Sequence, residues 1–170
     1  FYTWTLQSHI DLAKAVWLDY CECKMIDTIA REPLWRHLIN YRCGTGHSVS
    51  FVGNVHEGPH ALNSRNTTRM RPGMVVTDEP GVYETDLVGI RIENELVCVH
   101  KADNQYGTFL GFEPLMFVPI ATSPILPGVL DKDEIAWLND YHRQVFAKLA
   151  PHLNDEERSW LAEKCAAIGC

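Results

Sequence analysis

The sequence predicts an α+β fold with a helical extension at its end, and three observations carry that prediction. Apolar residues recur at three- and four-residue intervals at both ends of the chain. Short Val/Ile-rich runs occupy the middle, and Gly, Pro and Asn turns separate them. At 170 residues the chain can hold one good core and a small appendage.

Taken in order, Leu6, Ile10, Ala13, Ala15 and Val16 approximate one helical face over Thr3 to Trp17. Because this helix starts at Phe1 without a capping residue before it, the chain reads as part of something longer. A second helix is predicted from Lys24 to Asn40, with Met25, Ile26, Ile29, Leu34, Trp35 and Leu38 at helical spacing and a kink near Pro33. Val49, Phe51, Val52 and Val55 then favour a buried strand over residues 47–56. Ala61 to Pro72 reads as a polar surface loop.

Met74 to Asp78 is a short strand ended by Pro80-Gly81. Val88 to Val99 is a longer one, with Ile90, Ile92, Asn94, Leu96 and Cys98 on one face. Thr108 to Ile120 is a last strand, with Pro114 marking an edge or bulge. After a Pro-rich linker, Asp131 to Leu149 and Asp155 to Ala167 are predicted helices, the latter capped by Asn154. The predicted division is 1–122 for the α+β part and 123–170 for the helical extension.

Composition narrows the function. A formal charge of −7 without a Lys/Arg cluster argues against nucleic acid as a partner. Pro114 to Leu130 is the most apolar region, but four prolines and its length rule it out as a membrane span. The six cysteines, 21, 23, 43, 98, 165 and 170, have no C-x-x-C spacing and read as free thiols of a reducing, cytosolic compartment.

The chemistry centres on Gly44 to Pro59, GTGHSVSFVGNVHEGP, which carries His47 and His56. Two carboxylate motifs follow, TDEPG with Glu79 and IRIEN with Glu93. An unpaired charge is costly in such apolar runs, so His47, Glu79 and Glu93 point to a metal site. The bland alternative pairs Glu79 with a cation such as Arg91 and leaves His47 a satisfied core histidine. One histidine with carboxylates suits Mn²⁺, Co²⁺, Fe²⁺ or Zn²⁺, and a two-metal site better than a lone zinc. His56-Glu57-Gly58-Pro59-His60 matches H-E-x-x-H literally, but Gly58-Pro59 breaks the helix that this zinc motif needs. His60 is therefore read as an exposed loop residue.

These motifs, with GMVVTDEPGVYE, GIRIENELV, FLGFEPLMFVPI and EIAWLNDYH, resemble in order and over nearly the whole chain the pita-bread metallopeptidases of family M24. Within that family they resemble the Xaa-Pro aminopeptidase (aminopeptidase P) branch. The resemblance implies part of a pita-bread fold. It also implies two divalent metal ions, Mn²⁺ foremost, and a peptide substrate with proline in second position, cleaved by a hydroxide held between the metals. His47, Glu79 and Glu93 match the metal ligands, and His56 and Glu79 the catalytic residues. Cys43, His56, Tyr83 and Arg91 match the substrate-binding positions.

Two departures stand out. The family's two aspartate ligands have no match in this chain. Cys43 stands where the family has the histidine of HGTGH, and Ser48 and Ser50 replace glycines. A metal-free pseudo-enzyme or protein-binding module is thus the alternative. Trp137, Tyr141, Trp160 and Leu161 offer aromatic and apolar anchors for a homodimer or for the extension's own core.

Overall fold

The computed structural model describes residues 1–169. The chain forms two compact units, one over Thr3–Met116 and one from Phe117 onward.

The first unit is built on a four-stranded antiparallel sheet. Its elements are α1 (Tyr2–Ala13), β1 (Val16–Leu18), α2 (Cys23–Trp35), β2 (Gly46–His47), β3 (Ala61–Leu62), β4 (Val75–Asp78), β5 (Gly81–Glu84), β6 (Val88–Arg91), β7 (Asn94–Asn104) and β8 (Gly107–Pro114). The sheet order is β1-β8-β7-β4, flanked by the two-stranded pairs β2-β3 and β5-β6. The β7–β8 hairpin forms where Gly107 takes φ +132°, a conformation open to glycine, and Asn104 accepts the Tyr106 amide. One sheet face packs Trp17, Val76, Leu96, Cys98, Leu110 and Phe112 against Leu12, Cys23, Ile26 and Ala30 of the helices. Burial pushes the Cys23 and Cys98 thiols up to about 11, so both stay protonated. Cys21, Cys23, Cys43, Cys98 and Cys165 are free, and Cys170 lies outside the described residues.

Several expectations need correction. The first helix ends at Ala13, and Val16–Leu18 pairs with β8 instead (Trp17 opposite Leu110). A three-residue β-prone run gains more from a ladder and a buried indole than from one more helical turn. The second helix runs through Pro33 and stops at Trp35, after which Leu38 takes φ +59° and the Ile39 amide turns back to the Leu34 carbonyl. Met25, Trp35 and Leu38 are exposed, and the buried face is Cys23, Ile26, Asp27, Ala30, Arg31 and Leu34. The expected buried strand over 47–56 shrinks to Gly46–His47, with Phe51, Val52 and Val55 exposed in an irregular loop. A strand there has no neighbour to take its backbone hydrogen bonds.

Ala61–Leu62 is a short strand rather than loop, and both Leu62 and Met70 are core residues. The run 88–99 is two strands, broken at Ile92–Glu93, with the second reaching Asn104. Its buried face, Asn94, Leu96 and Cys98, is as the alternation predicts. The last strand ends at Pro114, which leaves 115–120 without a ladder.

The second unit holds α3 (Lys132–Leu149), a 3₁₀ turn (Ala150–His152) and α4 (Asp155–Lys164). Asp131 and Asn154 each form a reciprocal capping box, with Glu134 and Glu157 respectively, each box stabilising its helix by about 1 kcal/mol. Tyr141, Val145 and Leu161 are buried in this unit's own core, whereas Trp160 is half-exposed. His142 is fully buried, and its Nε2 accepts the Ile120 amide.

Burial holds the His142 pKa below its ordinary value, 6.5. Above that value both folded and unfolded states are neutral. As pH falls below it, the unfolded state takes the proton first, and stability is lost toward the folded pKa. The thermal midpoint of the wild-type chain is expected to drop more between pH 7.5 and 5.5 than that of His142→Gln, as measured by circular dichroism. Equal drops would remove His142 from the account.

Candidate metal centre

The centre is assembled where β2 meets β4. Gly46 is obligatory there, because a Cβ on it would lie 1.7 Å from the Thr77 carbonyl oxygen. That approach lets the His47 amide donate to Thr77 Oγ1 (3.0 Å), while the Thr77 hydroxyl donates to Glu79 Oε1 (2.9 Å). The Glu79 amide in turn donates to the Thr45 carbonyl (2.8 Å). Both site side chains are thus fixed through backbone as well as through their own atoms.

His47 Nε2 lies 2.9 Å from Glu79 Oε1, and its Nδ1 is 3.1 Å from the Ser48 carbonyl. An Nδ1–H donated to that carbonyl turns the Nε2 lone pair toward Glu79 Oε1, an arrangement that a cation shared by the two atoms would favour. The His56 ring stands edge-on to the His47 ring, with centroids 4.0 Å apart. The ring returns there through Glu57, whose amide donates to the Ser48 carbonyl (3.1 Å). A pocket of about 300 Å³ is lined by Cys43, Gly44, His47, His56, Glu79 and Arg91, among others.

Arg91 Nη1 reaches Glu79 Oε2 at 3.2 Å. Burial disfavours the guanidinium charge, but Glu79, then Tyr83 and Glu93, outweigh it and raise the Arg91 pKa. Glu93 is raised above the ordinary carboxylate range, first by burial and then by Glu79, with Arg91 and His47 opposing. Two carboxylates this close form an anionic centre suited to a cation. Behind it, Asp78 is fully buried with Oδ2 3.1 Å from His9 Nδ1, and burial raises its pKa against the pull of His9.

The predicted site residues therefore separate into groups. His47, His56, Glu79, Arg91 and Cys43 come together in one pocket, with the Cys43 thiol 3.8 Å from the Gly81 carbonyl. Glu93 is close enough to feel Glu79 and His47 electrostatically. Tyr83 is half-exposed beside Arg91, whose guanidinium carbon is 5.6 Å from the ring centre. His60 is corrected: it is buried, and its Nε2 is 2.7 Å from the Val75 carbonyl. A polar ring in that position ties the loop back to β4 and satisfies an acceptor, so it is not a bystander. Residues 56–60 form no helix, as the Gly-Pro pair requires.

Sequence reasoning missed Thr45 and Thr77. Each stands two residues before a site residue, the spacing that puts neighbours on one face of a strand, and that was the available signal.

The donor set fits a divalent cation in chemistry and, in part, in geometry. Two donors about 2.1 Å from one octahedral ion stand about 3 Å apart, near the His47–Glu79 separation. Among the described residues, however, no three His, Cys, Asp or Glu side chains gather into a cage. His47 and Glu79 thus present one donor pair rather than a closed cage.

The chain belongs to metallopeptidase family M24: that family model matches residues 1–100, and the model for the C-terminal region of peptidase M24 matches residues 108–168.

Curated relatives include Aminopeptidase P1 of Lotus japonicus, 39% identical with 99% of this chain and 26% of the relative covered. Aminopeptidase P2 of Arabidopsis thaliana is 42% identical, with 94% and 23% covered. The chain therefore spans about a quarter of the length of the relatives it matches. Among solved structures, the X-prolyl aminopeptidase of Caenorhabditis elegans, described as a cytosolic enzyme with a di-nuclear active site, superposes with a TM-score of 0.91 at 38% identity, over 98% of this chain and 28% of that one. Prolidase from Pyrococcus furiosus superposes at 0.56 and 27% identity, over 67% of this chain and 31% of that one. The fold is accordingly part of the pita-bread architecture.

Because the Gly46–Thr77 approach underlies the centre, Gly46→Ala is expected to destabilise the chain by about 3 kcal/mol. Urea unfolding measures it, and an unchanged midpoint would contradict the role given to that contact.

Proposed function

We propose that this chain contributes the histidine- and glutamate-bearing part of a metal-dependent Xaa-Pro aminopeptidase. The observation that carries the reading is the His47–Glu79 contact with the His56 ring beside it in one pocket, next to the Glu79–Glu93 carboxylate pair. The relatives named aminopeptidase P support the substrate class, a peptide with proline in second position. The C. elegans neighbour's di-nuclear site supports two metal ions, with Mn²⁺ proposed, and its cytosolic description supports that compartment. We take 1–122 as the catalytic part and 123–170 as the helical extension.

In this reading His47, Glu79 and Glu93 hold the metals, with the remaining ligands from outside these residues. When bound, the metals polarise the scissile carbonyl and acidify the attacking water. His56 donates a hydrogen bond to the charge developing on the carbonyl oxygen and moves a proton toward the leaving proline nitrogen. Arg91 restrains Glu79, and Cys43 and Tyr83 border the substrate. The second reading, a metal-free binding module, draws on Cys43 and on the absence of a three-ligand cage among the described residues.

The test is hydrolysis of Gly-Pro peptides with Mn²⁺, paired with calorimetric Mn²⁺ titration. The isolated 170 residues are expected to bind the ion weakly and to show no turnover. A longer protein bearing them is expected to cleave before proline and to lose at least about 100-fold in rate with His56→Ala or Glu79→Gln. Metal-free protein without peptidase activity in that longer form would favour the binding module. Normal turnover by the isolated chain would refute the claim of an incomplete site.

A further inference from the structure

We propose that the buried Asp27–Arg31 pair on α2 is the positioning device of the centre. It sets where the chain runs through Cys43 and Thr45, and hence where His47 and Glu79 stand. The proposal rests on the reading of those two residues as site residues.

A buried charge is tolerated only when paired and fully hydrogen-bonded. Arg31 meets that condition with every nitrogen. Nε donates to Asp27 Oδ2 (2.8 Å), Nη1 to the Tyr41 carbonyl (2.8 Å) and Asn40 Oδ1 (3.1 Å), and Nη2 to the Cys43 carbonyl (2.9 Å). Its guanidinium carbon also stands 4.2 Å over the Tyr41 ring. The other oxygen of Asp27 accepts the Thr45 hydroxyl (2.5 Å), which the Tyr41 hydroxyl approaches at 2.5 Å.

From Thr45 the path continues through backbone. Its amide donates to the Leu62 carbonyl, and its carbonyl accepts the Glu79 amide, both at 2.8 Å. Three consecutive hydrogen-bonded links thus join Arg31 on the helix to Glu79 in the pocket.

The placement argues for positioning rather than for bulk stability. Apart from Asp27 on its own helix, the acceptors that Arg31 gathers lie within residues 40–43, a stretch with no ladder of its own. That stretch delivers Cys43 and His47 to the pocket. Apolar side chains of equal volume would fill the space, but would leave the Tyr41 and Cys43 carbonyls unserved. Lysine keeps the charge near Asp27 but lacks the planar fork that reaches the other acceptors.

The test compares Arg31→Lys, Thr45→Val and Thr45→Ser with the wild-type chain at pH 8, by amide hydrogen exchange and by the ring-current shifts of the His47 and His56 imidazole protons. In Arg31→Lys and Thr45→Val, exchange of the Glu79 amide is expected to quicken at least tenfold and the imidazole shifts to move. Amides of the β7–β8 ladder should stay within twofold. Thr45→Ser, which keeps the hydroxyl, should restore both readouts.

Equal quickening in the ladder would make the pair a general stabiliser and overturn the proposal. An unchanged Glu79 amide, or imidazole shifts that do not move, would overturn it as well. Neither readout depends on turnover or metal, so a failure of the peptidase reading is told apart from a failure of this one.

Discussion

At Gly46 the backbone passes so close to the carbonyl of Thr77 that only a residue without a side chain fits. The meeting of His47 with Glu79 depends on that contact. It brings the His47 amide onto the Thr77 hydroxyl and the same hydroxyl onto Glu79. It also brings the Glu79 amide under the Thr45 carbonyl. Two side chains some thirty residues apart in sequence are thereby held at 2.9 Å. Preorganisation of this kind resides in the backbone, where it cannot relax by a rotamer change.

Electrostatics then acts on a geometry already set. Glu79 carries Arg91 on one oxygen and His47 on the other, and Glu93 is pushed toward its neutral form by burial and by Glu79. The Asp78–His9 pair adds a buried carboxyl directly behind. A concentration of acidic groups costs stability through mutual repulsion, which Arg91 offsets in part. A divalent ion would remove that repulsion, and such sites gain stability from their ligand as well as function.

Much of this was legible in the sequence, and the failures have physical reasons. The alternation through Asn94, Leu96 and Cys98 gave the correct buried face, and Asn154 was readable as the cap of the last helix, while the Asp131 cap was not singled out. β1 was hidden because Val16–Leu18 is too short for its own periodicity to speak, and only pairing with β8 makes it a strand. The loop after His47 misled because its valines and Phe51 have strand propensity but no neighbouring strand. His60 looked exposed because its bond to the Val75 carbonyl spans fifteen residues. The histidine and glutamate motifs were readable, whereas the Arg31 network was not: its partners at Asn40, Tyr41, Cys43 and Thr45 belong to no local pattern.

The loop between His47 and His56 has a consequence for how such a site can diversify. Few backbone hydrogen bonds cross it; among them are Ser50 to Asn54 and Glu57 to Ser48. Its two ends are pinned by the ring pair and by His60. Doubling the length of a flexible loop costs only about 0.6 kcal/mol in closure entropy. Insertions between the two histidines are therefore nearly free for the fold, and they change the loop beside the pocket while leaving both imidazoles on its lining. The scaffold separates what must stay constant from what can drift, and the drifting part is the eight residues between His47 and His56.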